Sequence, residues 1–395
     1  MYAVPVMNVE GPVVVTRKGE ARILRGHPWV FRSDVVKDGG ASPGAVVCVE
    51  DVRRTPLGFA FFSSRSEIRL RMIHRGESLE ETFLRDRIAK ALRWRETVAA
   101  GAQACRLVHG EGDGLPALVV DRYDDYLSIQ TLSQGTERAK GEIVAALVDL
   151  LQPKGIVERN DPKVRTLEGL DQRVWVLHGE VPQTVEVSEG DVRFSVDLMK
   201  GQKTGLFLDQ RENHVAARLY ARGRVLDCFS YDGGFALQVA RQADEVTAVD
   251  LSADSLERLK ANAALNGLTN VATRDANAFD LLRSLDDAGE RFDTVILDPP
   301  AFAKSRDAIE KAARGYKEIN LRALKILAPG GVLVTCSCSY HIHEDDFETI
   351  LAAAATDAGV AATVVEKRRQ ARDHPVLLGV PETYYLKCFV LRRLE

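Results

Sequence analysis

Residues 224–235 read RVLDCFSYDGGF, and this stretch decides the fold of the C-terminal half. An apolar run ends at Asp227, a turn with two glycines follows, and the residues after it have helical character. Outward from this stretch the alternation repeats, with strands predicted at 246–250, 270–274, 294–297 and 332–335 and helices at 252–265, 278–285, 308–327 and 345–355. Such repeats predict an α/β domain with a doubly wound, mostly parallel sheet, in which ligands bind at the carboxyl ends of the strands.

The first 188 residues lack this regular alternation. Residues 1–75 contain short β-rich runs separated by glycine- and proline-containing turns, which predicts a small, mostly β domain or barrel. Residues 76–188 combine a helix near 78–100 with further strands, which predicts an α+β middle domain. The α/β domain is then expected to occupy residues 189–395.

The N-terminal segment differs in charge from the whole chain, whose formal net charge is -4. Residues 1–75 contain twelve Lys and Arg against seven Asp and Glu. A basic module on an acidic chain fits a domain that contacts RNA or phosphate, although a solvated arginine-rich surface would have the same composition.

The overall composition indicates an ordinary soluble globular protein, with 45% hydrophobic and 28% charged residues. No apolar run approaches the roughly 20 residues needed to cross a bilayer, and the first residues do not have the pattern of a secretory signal. Six cysteines in 395 residues do not make a disulfide scaffold. A cytoplasmic location with reduced thiols is expected, and the sequence leaves open whether the chain forms a homodimer.

Acidic residues end successive predicted strands and suggest a cofactor site. Asp227, Asp250 and Asp275 occupy these positions, and Gly233 would let the backbone approach a ligand. The turn is not G-x-G-x-x-G, and an acid at 227 would repel a phosphate but could bind an ammonium group. This charge pattern favours S-adenosylmethionine, which has an amino acid, a ribose and an adenine but no phosphate. Helix capping by acids at strand ends is the alternative.

The residues Asp298-Pro299-Pro300-Ala301-Phe302 follow another predicted strand. Two prolines fix the backbone and present a carboxylate and an aromatic ring at the sheet edge. This arrangement suits a flat base, because Phe302 could stack on the ring while Asp298 contacts its polar edge. A simple proline-rich turn is the alternative.

Two thiols, Cys336 and Cys338, follow the strand predicted at 332–335. A thiol in a cleft is a candidate nucleophile, and methylation of cytosine at C5 needs one because C5 reacts only after a thiolate has added to C6. The thiols could instead be inert and buried. They could also bind a metal with His341 and His343, although C-x-C is shorter than the usual spacing.

Five segments together carry a family resemblance: KGQKTGLFLDQR (200–211), VLDCFSYDGGF (225–235), LDPPAFAKS (297–305), TCSCS (335–339) and RQARDHPVLLGVPETYYLKCF (369–389). With them the chain resembles the RlmI-like family of ribosomal-RNA large-subunit methyltransferases, whose members methylate cytosine at C5. The resemblance implies a Rossmann-like class I methyltransferase domain. It also implies that residues 1–75 are a PUA-like RNA-binding domain and that the middle segment is the α+β domain found in this family.

The resemblance also implies roles for single residues. The cofactor site would contain Gln210, Arg211, Asp227, Phe229, Gly233, Asp250, Asp275 and Asp298. Asp298 would also contact the target cytosine, and Phe302 and Lys304 would meet the substrate. Cys338 is the expected nucleophile because it lies six residues before Glu344, a spacing seen in RNA C5-cytosine methyltransferases, although Asp345 replaces the usual Asn.

The sequence therefore predicts a cytosine-C5 methyltransferase of large-subunit ribosomal RNA that uses S-adenosylmethionine and no metal, with the base for removal of the C5 proton unassigned. One alternative is an RNA methyltransferase that acts on an exocyclic or ring nitrogen, which needs no cysteine. The other is a non-catalytic RNA-binding ribosome assembly factor that has kept the fold.

Overall fold

The computed structural model of the chain describes residues 8–201, 204–302 and 308–394. They divide into two units. The N-terminal unit runs to residue 187 and includes 196–206 and 372–383, and the C-terminal unit comprises 188–195, 207–371 and the residues from 384 onward. No helix in the described ranges is long and apolar enough to cross a membrane.

The N-terminal unit begins with a six-stranded sheet. Its elements are β1 (Val9–Val15), α1 (Arg17–Leu24), β2 (Trp29–Phe31), β3 (Val35–Lys37), β4 (Val46–Glu50), β5 (Pro56–Phe62) and β6 (Ile68–His74). The strand order is β2-β6-β5-β4-β1-β3, and β1 pairs with β4 in parallel. Helix α1 was not predicted. Its buried residues, Gly19 and Ile23, share one face of the helix, but a glycine gives no apolar signal in the sequence. The helix start is fixed by the Thr16 side chain, which accepts from Gly19 N.

A five-stranded sheet follows in the same unit. Its elements are α2 (Phe83–Val98), β7 (Ala104–His109), β8 (Leu118–Tyr123), β9 (Tyr126–Thr131), α3 (Gln134–Arg138), α4 (Lys140–Leu151), β10 (Gly155–Asn160), α5 (Val164–Leu167) and β11 (Arg173–Gly179). The strand order is β11-β10-β9-β8-β7, and only β9 and β10 pair in parallel. Residues 188–195 belong to the C-terminal unit, and they contain most of the two-stranded sheet of β12 (Val185–Glu189) and β13 (Val192–Val196).

Side-chain alternation along β5 divides the first sheet between two cores. Ala60 and Phe62 belong to a core within the first sheet. Phe59 and Phe61 face the other way and pack in one core with α2, α4 and the five-stranded sheet. The two sheets of this unit are therefore joined by a continuous apolar core.

The C-terminal unit contains a seven-stranded sheet. Its elements are α6 (Arg211–Ala217), β14 (Arg224–Cys228), α7 (Gly234–Val239), β15 (Glu245–Asp250), α8 (Ala253–Leu265), β16 (Val271–Asp275), α9 (Ala278–Asp287), β17 (Phe292–Leu297), α10 (Ile309–Ile326), β18 (Leu327–Ser337), α11 (Glu344–Ala358), β19 (Ala362–Arg369) and β20 (Lys387–Arg393). The strand order is β16-β15-β14-β17-β18-β20-β19. Only β20 runs antiparallel to the other strands.

This topology confirms the predicted mixed α/β fold with a doubly wound C-terminal sheet. The chain leaves β14 toward β15 on one side and β17 lies on the other, so the order reverses at β14. In such sheets the reversal opens a crevice at the carboxyl ends of the strands, which is where ligands bind. The domain limits at residues 75 and 188 stay a prediction.

Candidate active site

Four carboxylates mark the carboxyl edge of the seven-stranded sheet. They end four neighbouring strands: Asp275 on β16, Asp250 on β15, Asp227 on β14 and Asp298 directly after β17. Asp250 and Asp275 are direct partners in the ladder, and Asp298 N donates to Cys228 O at 3.3 Å. The structure thus brings the predicted acids to one edge, where Asp275 is exposed and Asp227 is buried.

The environment of Asp227 strongly perturbs its pKa. Ala236 N donates to its Oδ2 at 3.0 Å, while no described residue donates a hydrogen bond to the buried Oδ1. Burial, reinforced by the nearby Asp298, raises the pKa of Asp227 to about 8. A buried carboxylate oxygen without a donor is costly, so this atom suits a cationic ligand group such as an ammonium.

The turn after β14 has a strained backbone. Phe229 and Tyr231 have positive φ angles of 68° and 47°, which residues other than glycine rarely adopt. Asp250 holds the turn, because its Oδ2 accepts from Tyr231 N at 3.0 Å. Gly233 has a φ of 95°, and a Cβ there would lie 2.8 Å from Leu237 Cγ. The backbone conformation and the close approach of Leu237 therefore both require glycine at position 233.

The segment 208–211 contributes to the same edge. Gln210 Nε2 donates to Asp298 Oδ1 at 2.8 Å, and Gln210 Oε1 accepts from Asn213 Nδ2 at 2.7 Å. Gln210 is buried, so its amide fixes the orientation of the Asp298 carboxylate. Arg211 begins α6 and is half-buried, with its guanidinium 3.7 Å from Glu212 Oε1.

The two candidate thiols have different environments. Cys338 is half-buried, and its Sγ lies 3.8 Å from Pro299 O, the carbonyl next to Asp298. Cys336 is fully buried, and burial together with its ladder partner Cys388 raises the pKa of Cys336. Cys338 is therefore the thiol that meets the Asp298 loop. In the described ranges, no group of three or more His, Cys, Asp or Glu side chains is placed to hold a metal ion.

The predicted substrate residues are described only in part. The Phe302 ring is half-buried and packs with its centroid 4.6 Å from Tyr316 and 5.7 Å from Phe279. Lys304 lies outside the described residues.

Two buried basic residues near this edge escaped the sequence analysis. Lys387 on β20 is 1% exposed, and its Nζ donates to Ser339 O at 2.7 Å and Tyr385 O at 2.9 Å. Burial lowers the pKa of Lys387 to about 8, while the neighbouring Cys338 acts in the opposite direction. The signal was a lysine within the otherwise apolar run of the last strand, KCFVL (387–391).

His214 on α6 is the second missed residue. Its Nδ1 lies 2.8 Å from Glu189 Oε1, and a Cβ at Gly234 would lie 2.4 Å from the imidazole. Burial lowers the pKa of His214, but Glu189, Asp298 and Asp227 outweigh this effect and raise it. A histidine that carries positive charge here partly balances the acids of the edge.

Comparison with known proteins agrees with this geometry. Residues 168–384 match the model of the S-adenosylmethionine-dependent methyltransferase family, and residues 13–75 match a PUA-like domain. Ribosomal RNA large subunit methyltransferase I from Vibrio cholerae is 41% identical over 97% of this chain and 100% of its own length. The protein of that name from Klebsiella pneumoniae is 39% identical over 96% of this chain and 98% of its own.

A solved structure shares the fold at lower identity. The SMU.776 protein complexed with SAH superposes with a TM-score of 0.82 at 22% identity, over 96% of this chain and 99% of its own. The family match and the near-complete coverage of the relatives confirm the predicted cofactor, S-adenosylmethionine. This chain therefore belongs to the family of S-adenosylmethionine-dependent methyltransferases represented by ribosomal RNA large subunit methyltransferase I.

Proposed function

We propose that this chain methylates C5 of a cytosine in large-subunit ribosomal RNA through a covalent bond between Cys338 and C6 of the base. The names of the relatives and the PUA-like match support the RNA substrate. The observation that carries the chemistry is the 3.8 Å contact between Cys338 Sγ and Pro299 O, which joins the thiol to the Asp298 loop. A cytoplasmic location would keep this thiol reduced, as the reaction needs.

The residues of the β14–β16 edge fit the cofactor. The buried Asp227 Oδ1 would accept from its ammonium group, Asp250 and Asp275 would meet the ribose and adenine, and the Phe229–Gly233 turn would let the backbone approach. S-adenosylmethionine supplies an electrophilic methyl group when it is bound there. The proposal gives the chain three tasks: to activate C5, to orient the ring, and to release the product.

Activation of C5 begins at Cys338. Its thiolate adds to C6, so that a carbon–sulfur bond forms and the electrons of the C5–C6 double bond become available at C5. Asp298, oriented by Gln210, contacts the polar edge of the ring, and Phe302 and Lys304 hold the base. Once C5 carries the methyl group, loss of the C5 proton to a base restores the double bond and expels the thiolate.

We assign Lys387 a positioning role in this sequence. Its ammonium can donate three hydrogen bonds and gives two of them to the carbonyls of Ser339, the residue after Cys338, and Tyr385. A buried positive charge near Cys338 favours the thiolate over the thiol. Lys387 thus holds the loop and supplies the charge that the nucleophile needs.

The test is transfer of labelled methyl groups from S-adenosylmethionine to protein-free large-subunit ribosomal RNA. We expect Cys338→Ala to abolish transfer and Cys336→Ala, a matched control two residues away, to retain it. Mass spectrometry of the digested RNA should place the methyl group on C5, and RNA containing 5-fluorocytosine should trap a covalent complex only when Cys338 is present. Full activity in Cys338→Ala with a methylated nitrogen would refute the covalent chemistry and establish the nitrogen-directed alternative.

A further inference from the structure

The N-terminal unit contains a cleft of about 870 Å³ whose lining residues all belong to that unit. It lies between the loop that follows α1, the end of β6, one face of α2 and the loop after β7. We call it the basic cleft, because four of its lining residues are permanently cationic at neutral pH: Arg75, Arg87, Lys90 and Arg93.

Helix α2 distributes its cations unequally. It carries five Lys and Arg, and the two that lie outside the cleft have acidic partners: Arg85 pairs with Asp149 at 2.7 Å, and Arg95 pairs with Asp113 at 2.6 Å. The three that line the cleft, and Arg75 beside them, form no ion pair with any carboxylate in the part of the chain that the structure describes. The unpaired charge of this helix is thus collected on the cleft face.

Two arginines that line the cleft, Arg75 and Arg87, repel each other. Burial lowers the pKa of Arg75, and burial followed by the charge of Arg75 lowers the pKa of Arg87. Like charges that are partly withdrawn from water and lack a counterion are unfavourable, and a bound anion would relieve both costs.

The acids of the cleft are already engaged. Asp113 accepts hydrogen bonds from Arg95 Nη1 and Nη2, at 2.6 and 2.7 Å. Glu111 Oε1 accepts from Trp29 Nε1 at 2.8 Å. Glu111 keeps its negative charge, but the four unpaired cations outnumber it, so the net charge offered to a ligand is positive.

An aromatic ring completes the surface. Trp94 on α2 lines the cleft and is 50% exposed. Cations beside an exposed aromatic ring are the combination that binds single-stranded nucleic acids, with phosphates on the cations and a base on the ring. A ring can stack only on a base that is not paired in a duplex.

We propose that the basic cleft binds an unpaired stretch of the RNA substrate, with phosphates on Arg75, Arg87, Lys90 and Arg93 and a base stacked on Trp94. This inference rests on the proposed RNA methyltransferase function. It adds a docking site that would bind the substrate RNA away from the reacting base. It assigns α2, which lies outside the PUA-like match, to RNA binding.

The binding test uses the full chain and a fluorescent single-stranded oligonucleotide of RNA, titrated at several salt concentrations. The variant Lys90→Ala/Arg93→Ala removes two exposed cleft cations. Its matched control is Arg85→Ala/Lys154→Ala, which removes two exposed cations of the same unit that are paired with Asp149 and Asp125. Thermal unfolding of each variant checks that it is folded.

We expect the cleft variant to bind the RNA about tenfold more weakly, with a slope of log affinity against log salt that is less steep by about 1.4, since each lost phosphate contact contributes about 0.7. The control should change the affinity less than twofold. Trp94→Leu should weaken binding about tenfold without changing the slope, whereas Trp175→Leu, at another exposed tryptophan, should not. Equal losses in cleft and control variants, or no loss in either, would overturn the proposal.

Competition identifies the source of the anion. Inorganic phosphate or AMP at millimolar concentration should displace little RNA; if either binds the cleft tightly while the cleft variant keeps its RNA affinity, the cleft is a small-ligand site and the proposal fails.

Methyl transfer separates this inference from the proposed function. Saturating RNA should restore the rate of the cleft variant but not that of Cys338→Ala, and a methyl group found on nitrogen would refute the C5 chemistry while leaving the cleft result intact.

Discussion

The substitution Asp227→Asn should stabilise the protein while it weakens cofactor binding. Asp227 is 1% exposed and has a pKa of about 8, well above the value of 3.8 for a free aspartate. Because the folded pKa is raised, the carboxyl lowers stability above pH 4, and the loss grows as the pH rises until about pH 8. Each pH unit in this window costs up to about 1.4 kcal/mol, so the advantage of Asn over Asp should grow by about 2.6 kcal/mol between pH 5 and pH 7.

The geometry permits this exchange. The Asn oxygen can accept from Ala236 N as the Asp227 Oδ2 does, and the Asn amide replaces the oxygen that has no donor. Urea unfolding of both proteins at pH 5 and pH 7 measures the difference in the free energy of unfolding. A difference that does not depend on pH would refute the reasoning that burial keeps Asp227 protonated.

Calorimetry with S-adenosylhomocysteine, which keeps the amino-acid end, tests the other half of the prediction. If its ammonium group binds at Asp227, binding should ionise the carboxyl and release close to one proton at pH 7, and much less at pH 9. Titrations in buffers of different ionisation enthalpy measure this number. Asp227→Asn should abolish the release and weaken binding at least tenfold; an unchanged release in the variant would assign the proton to another group.

Three further predictions concern packing and charge. Lys387→Met should slow methyl transfer at least tenfold and move the acid limb of the pH–rate profile up by about one unit, because the thiolate loses a nearby cation; an unmoved limb in a pH series would contradict the assigned role. Gly234→Ala should lower the free energy of unfolding by about 1–3 kcal/mol, since its Cβ would lie 2.4 Å from the His214 ring, whereas Gly141→Ala, with open space in helix α4, should be neutral or stabilising in the same denaturant titration. Arg95→Met should lower the free energy of unfolding by about 3–5 kcal/mol because it leaves the buried Asp113 carboxylate unpaired. Arg85→Ala, which breaks an exposed ion pair with Asp149, should lower it by less than about 1 kcal/mol. Similar losses of stability in the two variants would refute the distinction between buried and exposed pairs.

The sequence predicts those parts of the site that lie at the ends of parallel strands. In a parallel sheet, residues at the carboxyl ends of the strands lie at the same edge, whatever the order of the strands. The sequence alone therefore places four acids at one edge: Asp227, Asp250, Asp275 and Asp298. The choice of Cys338 over Cys336 came from its distance to Glu344 along the chain. The structure adds a physical difference between the two, because one thiol is buried beside Cys388 and the other meets Pro299.

Contacts that depend on the order of strands could not be predicted in this way. Lys387 lies 49 residues after Cys338 and comes near it only because β20 inserts antiparallel between β18 and β19. No local pattern specifies that insertion. His214 is similar, since its position beneath the glycine turn depends on the packing of α6 against α7, and Gly234 reads in the sequence as a turn residue only.

The chain has a net charge of -4, but two of its regions have opposite electrostatic requirements: the carboxyl edge of the seven-stranded sheet and the basic cleft. At the sheet edge, burial and the nearby Asp298 raise the pKa of Asp227, and a cationic ligand would let this carboxyl ionise, so the edge favours a ligand that carries positive charge. In the basic cleft, Arg75 and Arg87 oppose each other without a carboxylate, so the cleft offers positive charge. A ligand of the opposite sign would relieve the electrostatic cost in each region and would stabilise the folded protein when it binds. A cationic cofactor and a polyanionic substrate are the pair of ligands that meets both requirements, and an RNA methyltransferase that uses S-adenosylmethionine is the enzyme that needs both.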